Sequence, residues 1–429
     1  MEKLDHPQLK ETLYYEQLPN GLQVYLLPKP GFQKTYATFT TKYGSIDNTF
    51  QRVGQEKHQV PDGIAHFLEH KMFEQESGED VFQQFARQGA AANAFTSFTR
   101  TAYLFSCTNN TTENLLTLLN FVQEPYFTDQ NVEKEKGIIG QEIKMYDDNP
   151  DWRSYFGLIE AFYQNHPVKI DIAGTVDSIS KITKETLYNC YHTFYHPSNM
   201  LLFVVGGIDA DQIMTLIRDN QAGKKFEPPA KIDRFYPEES NAVSEAKKIM
   251  KLSVQTPKCL MGYKEKNTEV NRTGTDRLKQ ELATQICLDV MFSPSSDFYQ
   301  SLYDDGIIDE TFGFEYSLEP GYGFTLFGGD THHPEELIKR IQEEVPRRLS
   351  TGVTQAEFDR IQKKRIGASL RSLNSLEWIA NQFTSYRFQE ADLFDIIPTL
   401  EKLTLEDVNQ RLKTHFQPEQ FAVSLVMPK

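Results

Sequence analysis

Two histidines four residues apart, His66 and His70, flank a glutamate, Glu69. On a helix, residues i and i+4 stand one turn apart on the same face, so both imidazoles can reach a single metal ion. Glu69 lies on that side too, close enough to take a proton from water rather than to bind the metal. Two neutral nitrogens beside a carboxylate base are what a zinc hydrolase needs. The flanking residues Ile64, Ala65, Phe67, Leu68, Met72 and Phe73 are apolar. They predict a largely buried helix, and paired histidines in a core need a partner.

A catalytic zinc takes three protein ligands and keeps a fourth position for water. An Asp, Glu or His is therefore expected on another rigid element. Residues 131–146 read as a helix, with Val132, Ile138, Ile139, Ile143 and Tyr146 forming an apolar stripe at helical spacing. Glu135 and Glu142 are two turns apart and share that face, whereas Glu133 reads as solvated. A glutamate facing inwards needs a cation. Spacing alone leaves Glu135, Glu142 and Asp147 as candidates.

The elements that must hold these groups follow from patterning. An opening strand pair is expected at 22–27 and 35–41, both rich in β-branched or aromatic residues. The histidine helix follows, then a second helix at 79–88 and one long extended segment at 93–107. Helices dominate from 112 to 163 and return at 184–195. Residues 200–206 read as a buried strand, and a helix at 211–220 closes the first half. The stretch 221–247, with Pro228-Pro229 and Pro237-Glu238-Glu239-Ser240, reads as an interdomain linker. The second half restarts with a strand at 251–255, a helix, a strand-like stretch at 311–327 and helices through Asn409.

Composition sets outer limits. At 429 residues two or three domains are expected, and the 39% hydrophobic and 12% aromatic content is that of a folded chain. A net charge of −15 argues against nucleic acid and anionic membranes as partners. No run of 18 apolar residues predicts a transmembrane helix. The polar start, Met1 to His6, predicts no export signal. Cys107, Cys190, Cys259 and Cys287 are scattered and read as reduced, buried thiols. Together these features predict a cytoplasmic protein.

The motifs also run in an order that resembles the insulinase/pitrilysin family of inverzincin zinc peptidases. The likeness is to its short members, those similar to mitochondrial processing peptidase. The matching pieces are Gly63-Ile64-Ala65-His66-Phe67-Leu68-Glu69-His70, Asn93-Ala94-Phe95-Thr96-Ser97, Glu135 with Glu142, His166-Pro167, Gly174-Thr175-Val176-Asp177-Ser178-Ile179 and Tyr195-His196-Pro197-Ser198-Asn199-Met200. The likeness is dense from about residue 18 to 210 and thinner beyond. Within the family the chain looks most like processing-protease-like proteins of Gram-positive bacteria.

The resemblance implies an α+β fold of two structurally similar domains, each a mostly antiparallel sheet packed with helices. It places a zinc-binding catalytic domain at 1–225, a linker at 226–247 and a structurally homologous domain at 248–429. It implies one zinc per chain, held by His66, His70 and Glu142. Glu135 would hydrogen-bond a ligand histidine and fix its tautomer, and Glu69 would act as general base. Asn93, Ala94, Phe95 and Thr96 would lie on an edge strand to which substrate backbone adds as a further strand. The implied substrates are peptides or unfolded segments cleaved inside a chamber.

One departure from the family pattern stands out. Active single chains carry an Arg and a Tyr in a stretch resembling L-R-x-x-G-L-x-Y, where they stabilise the oxyanion. Here Leu302 to Asp309 puts Tyr303 at the Arg position and Asp309 at the Tyr position, and the nearest arginines in sequence are Arg277 and Arg340. The resemblance then implies a dimer in which this chain bears the zinc and a homologous chain supplies the Arg–Tyr pair, or else a weakly active homodimer. A non-catalytic, peptide-binding or structural subunit is the alternative, although such subunits lose the ligands retained here. His332-His333 reads as a loop or cap feature and Lys363-Lys364-Arg365 as a solvated helix face.

Overall fold

The computed structural model describes residues 1–78 and 80–429. They form two compact units, neither of them one continuous stretch. The first comprises Met1–Ile143, Asp171–Phe235 and Ser372–Phe388; the second comprises Lys144–Ile170, Tyr236–Arg371 and Gln389–Lys429.

The first unit opens with strands β1 (Glu2–His6), β2 (Glu11–Gln17), β3 (Gln23–Pro28) and β4 (Thr35–Thr41). Short strands β5 (Thr49–Arg52) and β6 (Lys57–Gln59) precede helices α1 (Ile64–Met72) and α2 (Val81–Arg87). The Asp80 side chain caps α2 by accepting from the Phe82 N–H; the expected start of this helix at Glu79 lies outside the described residues. Then come β7 (Ala90–Thr96), β8 (Thr101–Cys107), α3 (Thr111–Val122) and α4 (Asp129–Asp147); after α5 (Pro150–Phe162), which belongs to the other unit, follow β9 (Met200–Gly206) and β10 (Ile232–Arg234).

The main sheet of this unit runs β1-β2-β3-β9-β4-β8-β7. The two opening strands form as expected but are not neighbours. β9 lies between them, parallel to β3 and antiparallel to β4. Its run Met-Leu-Leu-Phe-Val-Val-Gly is buried throughout, which suits a strand covered on both faces. The segment expected as one extended run at 93–107 is instead a hairpin, paired from Ala90↔Cys107 to Thr96↔Thr101. Its turn is closed by the Ser97 hydroxyl, which donates to the Arg100 carbonyl at 3.0 Å and accepts from the Arg100 N–H at 3.2 Å.

The second unit carries β11 (Lys247–Leu252), β12 (Lys258–Lys264), β13 (Gly313–Glu319), β14 (Tyr322–Asp330) and β15 (Phe421–Pro428). Its sheet runs β11-β15-β12-β14-β13, with β11 and β15 parallel and the remaining pairs antiparallel. Position by position this repeats β3-β9-β4-β8-β7: the last strand of each set enters between the first two, and a hairpin forms the far edge. The two halves are structural duplicates, as expected, although no sequence repeat betrays it.

The units also exchange one helix each. α5 belongs to the second unit, where Gly157 lets Met250 and Ser424 approach; a Cβ there would stand 2.4 Å from Met250 Cε. The helix Leu376–Arg387 belongs to the first, where Phe383 packs on Tyr25 and Phe203 with ring centroids 4.9 and 4.6 Å apart. A division at 225 and 248 therefore does not coincide with the compact units. Nor is 226–247 wholly connector, since β10 pairs with β5, and the strand expected at 251–255 lies at Lys247–Leu252, where β15 offers a parallel partner.

The four cysteines are free and buried. His332 and His333 are exposed and lead into the helix Pro334–Thr351, with His333 at its N-cap. Lys364 and Arg365 are not simply solvated: both reach the buried Asp289, at 2.7 and 2.5 Å. Among the described residues no helix is long and apolar enough to cross a membrane.

Candidate metal centre and active site

α1 is held in place by its sequence. Ile64, Phe67, Leu68 and Met72 are at most 3% exposed, and burying each such side chain stabilises by about 1.5–3 kcal/mol. Its start is set by Gly63, at φ 87°, where no side chain caps the helix. A Cβ on Gly63 would stand 2.4 Å from the Ala173 carbonyl oxygen, and one on Gly174, at φ 74°, 2.6 Å from the Asp62 carbonyl oxygen. The Ser178 hydroxyl donates to that same Asp62 carbonyl at 2.8 Å. Two distant motifs, at 63–70 and 174–179, thus form one backbone joint that fixes where the histidine helix begins.

α4 brings the glutamates. Val132, Glu135, Ile139 and Ile143 are buried on its inner face, while Ile138, expected in the stripe, is exposed. His66 Nε2 lies 3.7 Å from Glu142 Oε1, and His70 Nε2 lies 3.6 Å from Glu142 Oε2. Potential ligand atoms of His66, His70 and Glu142 all fall within 4.8 Å of one another. Donors bound at about 2.0–2.2 Å to one tetrahedral zinc stand about 3.4 Å apart, so this donor set fits such an ion. The mix of two imidazoles and one carboxylate fits it as well. Asp147, left open by spacing, is not in the cluster; it faces Arg153 at 4.0 Å.

Glu135 backs the cluster. Its Oε1 lies 3.1 Å from His70 Nδ1 and its Oε2 3.6 Å from the ammonium of Lys71. Burial alone would raise the Glu135 carboxyl, but His70 and Lys71 pull it below the usual range. Burial would likewise lower His70, yet the Glu135 hydrogen bond and the nearby carboxylates raise it. His66 is pushed down to about 4, by burial first and then by His70. Its Nδ1 is buried with no hydrogen-bond partner among the described residues. Carboxylates from Glu69, Glu135 and Glu142 around two imidazoles make a site that attracts a divalent cation.

Glu69 is 8% exposed, and burial holds its carboxyl above the usual range. The Thr96 hydroxyl donates to its Oε2 at 2.6 Å. Thr96 ends β7, the edge strand of the sheet, on which Asn93, Ala94 and Phe95 also lie. The Asn93 side-chain oxygen accepts the Ala94 N–H at 2.9 Å. Sequence reasoning missed two residues here. Lys71 is fully buried and pairs with Glu74 as well as Glu135; a lysine inside the apolar flank of α1 was the available signal. For Thr96 the resemblance implies only a place on a substrate strand.

The second unit carries Tyr303 and Asp309, the two residues that the resemblance puts in place of an Arg–Tyr pair. Tyr303 is 49% exposed, and Asp309 accepts from the backbone and hydroxyl of Thr311. Arg340, distant in sequence, folds onto this stretch and is held by Asp305 and Ser301, each at 3.0 Å.

This donor set with a buried carboxylate beside it, on a duplicated sheet-and-helix fold, defines an M16-type architecture, and comparison with known proteins agrees. The family described as insulinase (peptidase family M16) matches residues 55–176, and the peptidase M16 inactive domain matches residues 181–365. The chain belongs to the insulinase, or M16, family. It is 54% identical to an uncharacterised zinc protease, YmfH, of Bacillus subtilis over the full length of both chains. A second B. subtilis protein, the uncharacterised zinc protease YmxG, is 27% identical over 87% of this chain and 90% of its own. Among solved structures, one described as M16-like, from Alicyclobacillus acidocaldarius, superposes with a TM-score of 0.95 at 44% identity, covering 99% of this chain and all of that one. Pitrilysin shares the fold, with a TM-score of 0.76 at 14% identity, over all of this chain and 46% of its own.

Proposed function

We propose that the chain is a zinc-dependent endopeptidase acting on peptides or unfolded segments. The observation that carries this reading is the convergence of His66, His70 and Glu142 within 4.8 Å, beside a buried Glu69. These three residues would hold the zinc. When bound, the ion would supply a Lewis acid for the peptide carbonyl and acidify water to a pKa of about 7. Glu69, its carboxyl raised by burial, takes a proton from the attacking water and delivers it to the leaving amine. Glu135 holds the Nδ1 proton of His70, leaving Nε2 free to bind.

The outer edge of β7 takes the substrate backbone as an added strand, with Asn93 to Thr96 as its partners. The bond from Ala94 N–H to the Asn93 side chain must give way when it does. The names of its relatives, zinc proteases, support the same chemistry. Tyr303 and Asp309 stand where the family pattern has Arg and Tyr. We therefore assign the chain the zinc-bearing role in a dimer whose other chain supplies that pair.

The test is zinc content and peptide hydrolysis for wild type against Glu69→Gln. Mass measurement of the native complex from cell extract identifies any second chain. One zinc in both proteins, with hydrolysis in the wild type alone, is expected. Zinc retained with no hydrolysis by either, even with the copurifying partner present, would overturn the peptidase reading.

A further inference from the structure

We infer that Thr96, backed by Thr101, is a positioning residue that aims Glu69 for proton transfer; this rests on the reading of Glu69 as the base. A buried carboxylate can turn about its last side-chain bond unless something holds one oxygen. The Thr96 hydroxyl lies 2.6 Å from Glu69 Oε2. An ionised carboxylate only accepts, so Thr96 must be the donor. That bond occupies Oε2 and leaves Oε1 to work.

The hydroxyl is also hemmed in from behind. Thr101, fully buried and directly across the hairpin, places its Oγ1 3.2 Å from that of Thr96 and donates to the Tyr43 carbonyl at 3.0 Å. With Thr101's proton on Tyr43 and Thr96's on Glu69, no proton is left between the two hydroxyls, so Thr101 limits where the Thr96 side chain can turn by close contact and not by a hydrogen bond. Threonine suits this position better than serine because branching at Cβ stiffens χ1 and fixes where the hydroxyl points.

The backbone behind it is also clamped. Phe98 and Ser97 in the turn accept from the N–H groups of Ile46 and Ser45 at 3.1 and 3.0 Å. Gly44 lets the turn come so close that a Cβ there would stand 2.3 Å from Phe98 and Thr99 backbone atoms. β7 is thus open along its edge but fixed at the end that carries Thr96. The side chain of Thr96 serves the base, while its backbone lies on the strand proposed to take substrate.

The experiment uses Thr96→Val, which keeps the shape and removes the hydroxyl, with Thr96→Ser, Glu69→Gln and the double variant. The protein is assayed with whatever subunit copurifies. Thr96→Val should lower kcat about 10- to 100-fold, as loss of a supporting hydrogen bond does at related sites. KM should stay within about twofold and zinc content should not change. Thr96→Ser should recover most of the rate, and Thr96→Val should cost nothing further in the Glu69→Gln background. Crystal structures of zinc-loaded wild type and Thr96→Val should show the Glu69 carboxylate rotated in the variant, whether or not activity is measurable. If Thr96→Val does not fold, Thr96→Ala removes the same hydroxyl and is read in the same way.

Unchanged kcat, a loss shared with KM or zinc content, no recovery with serine, or an unmoved Glu69 would each overturn the inference. Wild-type activity in Glu69→Gln would instead overturn the reading of Glu69 as the base, and this inference with it.

Discussion

The Nδ1 of His70 stands 3.1 Å from Glu135 Oε1, and the second oxygen of the same carboxylate faces the fully buried Lys71. One glutamate therefore faces both an imidazole of the candidate metal cluster and a buried ammonium. Glu135→Gln weakens both links. It should lower zinc affinity about 10- to 100-fold, read by competition with a chelator. Wild-type affinity would show that the contact does not tune the site.

Metal removal should be visible in stability. A ligand that binds only the folded state stabilises by about 4.1 kcal/mol at a thousandfold excess over Kd. Chelation should therefore lower the melting temperature, and added zinc should restore it. Glu142→Ala and His70→Ala should melt at one temperature with or without zinc. A zinc-dependent rise in either variant would count against the assigned ligands.

The joint beneath α1 offers a purely structural test. Gly63→Ala forces a side chain into a left-handed conformation that costs about 1–2 kcal/mol on its own, and the new Cβ meets the Ala173 carbonyl. Urea unfolding should show a loss of more than that amount, accompanied by weaker zinc binding. A variant as stable as wild type would mean that the joint can open at little cost.

A pH effect is expected at a carboxylate of the second unit. Glu239 accepts from the N–H groups of Gln164, Asn165 and His166 at 3.0, 2.7 and 2.8 Å, and from Lys264 at 2.8 Å. Burial would raise this carboxyl, but Lys264 and the three amides bring it from 4.5 down to about 2. Because the folded value is the lower one, the stabilisation is complete above the ordinary pKa. It is lost as pH falls from about 4.5 towards 2. Glu239→Gln should cost about 1.5–3 kcal/mol at neutral pH. It should also flatten that part of the acid-unfolding curve; parallel curves for the two proteins would refute the assignment.

Much of the site was legible because helical periodicity is a local property. His66, Glu69 and His70 fall within one helical turn, and Glu135 and Glu142 are two turns apart on one helix. What the sequence could not place were features made by distant backbone. The insertion of β9 between β3 and β4 depends on residues more than 150 positions away, and the hairpin at 90–107 looks like one strand until its Ser97 turn is seen. Thr96 looked like part of a substrate strand because a hydroxyl's partner across space leaves no periodic trace. The approach of Arg340 to Asp305 is tertiary and leaves no such trace either.

The exchanged helices bear on what a protease, or an experimenter, can do to this chain. A nick anywhere in 226–247 yields two fragments, but α5 stays on the fragment that does not build its unit, and so does the helix Leu376–Arg387. Each fragment carries away a piece of the other's core. The cleaved protein should therefore migrate as a single species until denatured, and either fragment made alone should be insoluble. Gene fusion or fission at the midpoint would not separate two modules, because each unit is completed by a helix from the other half of the chain.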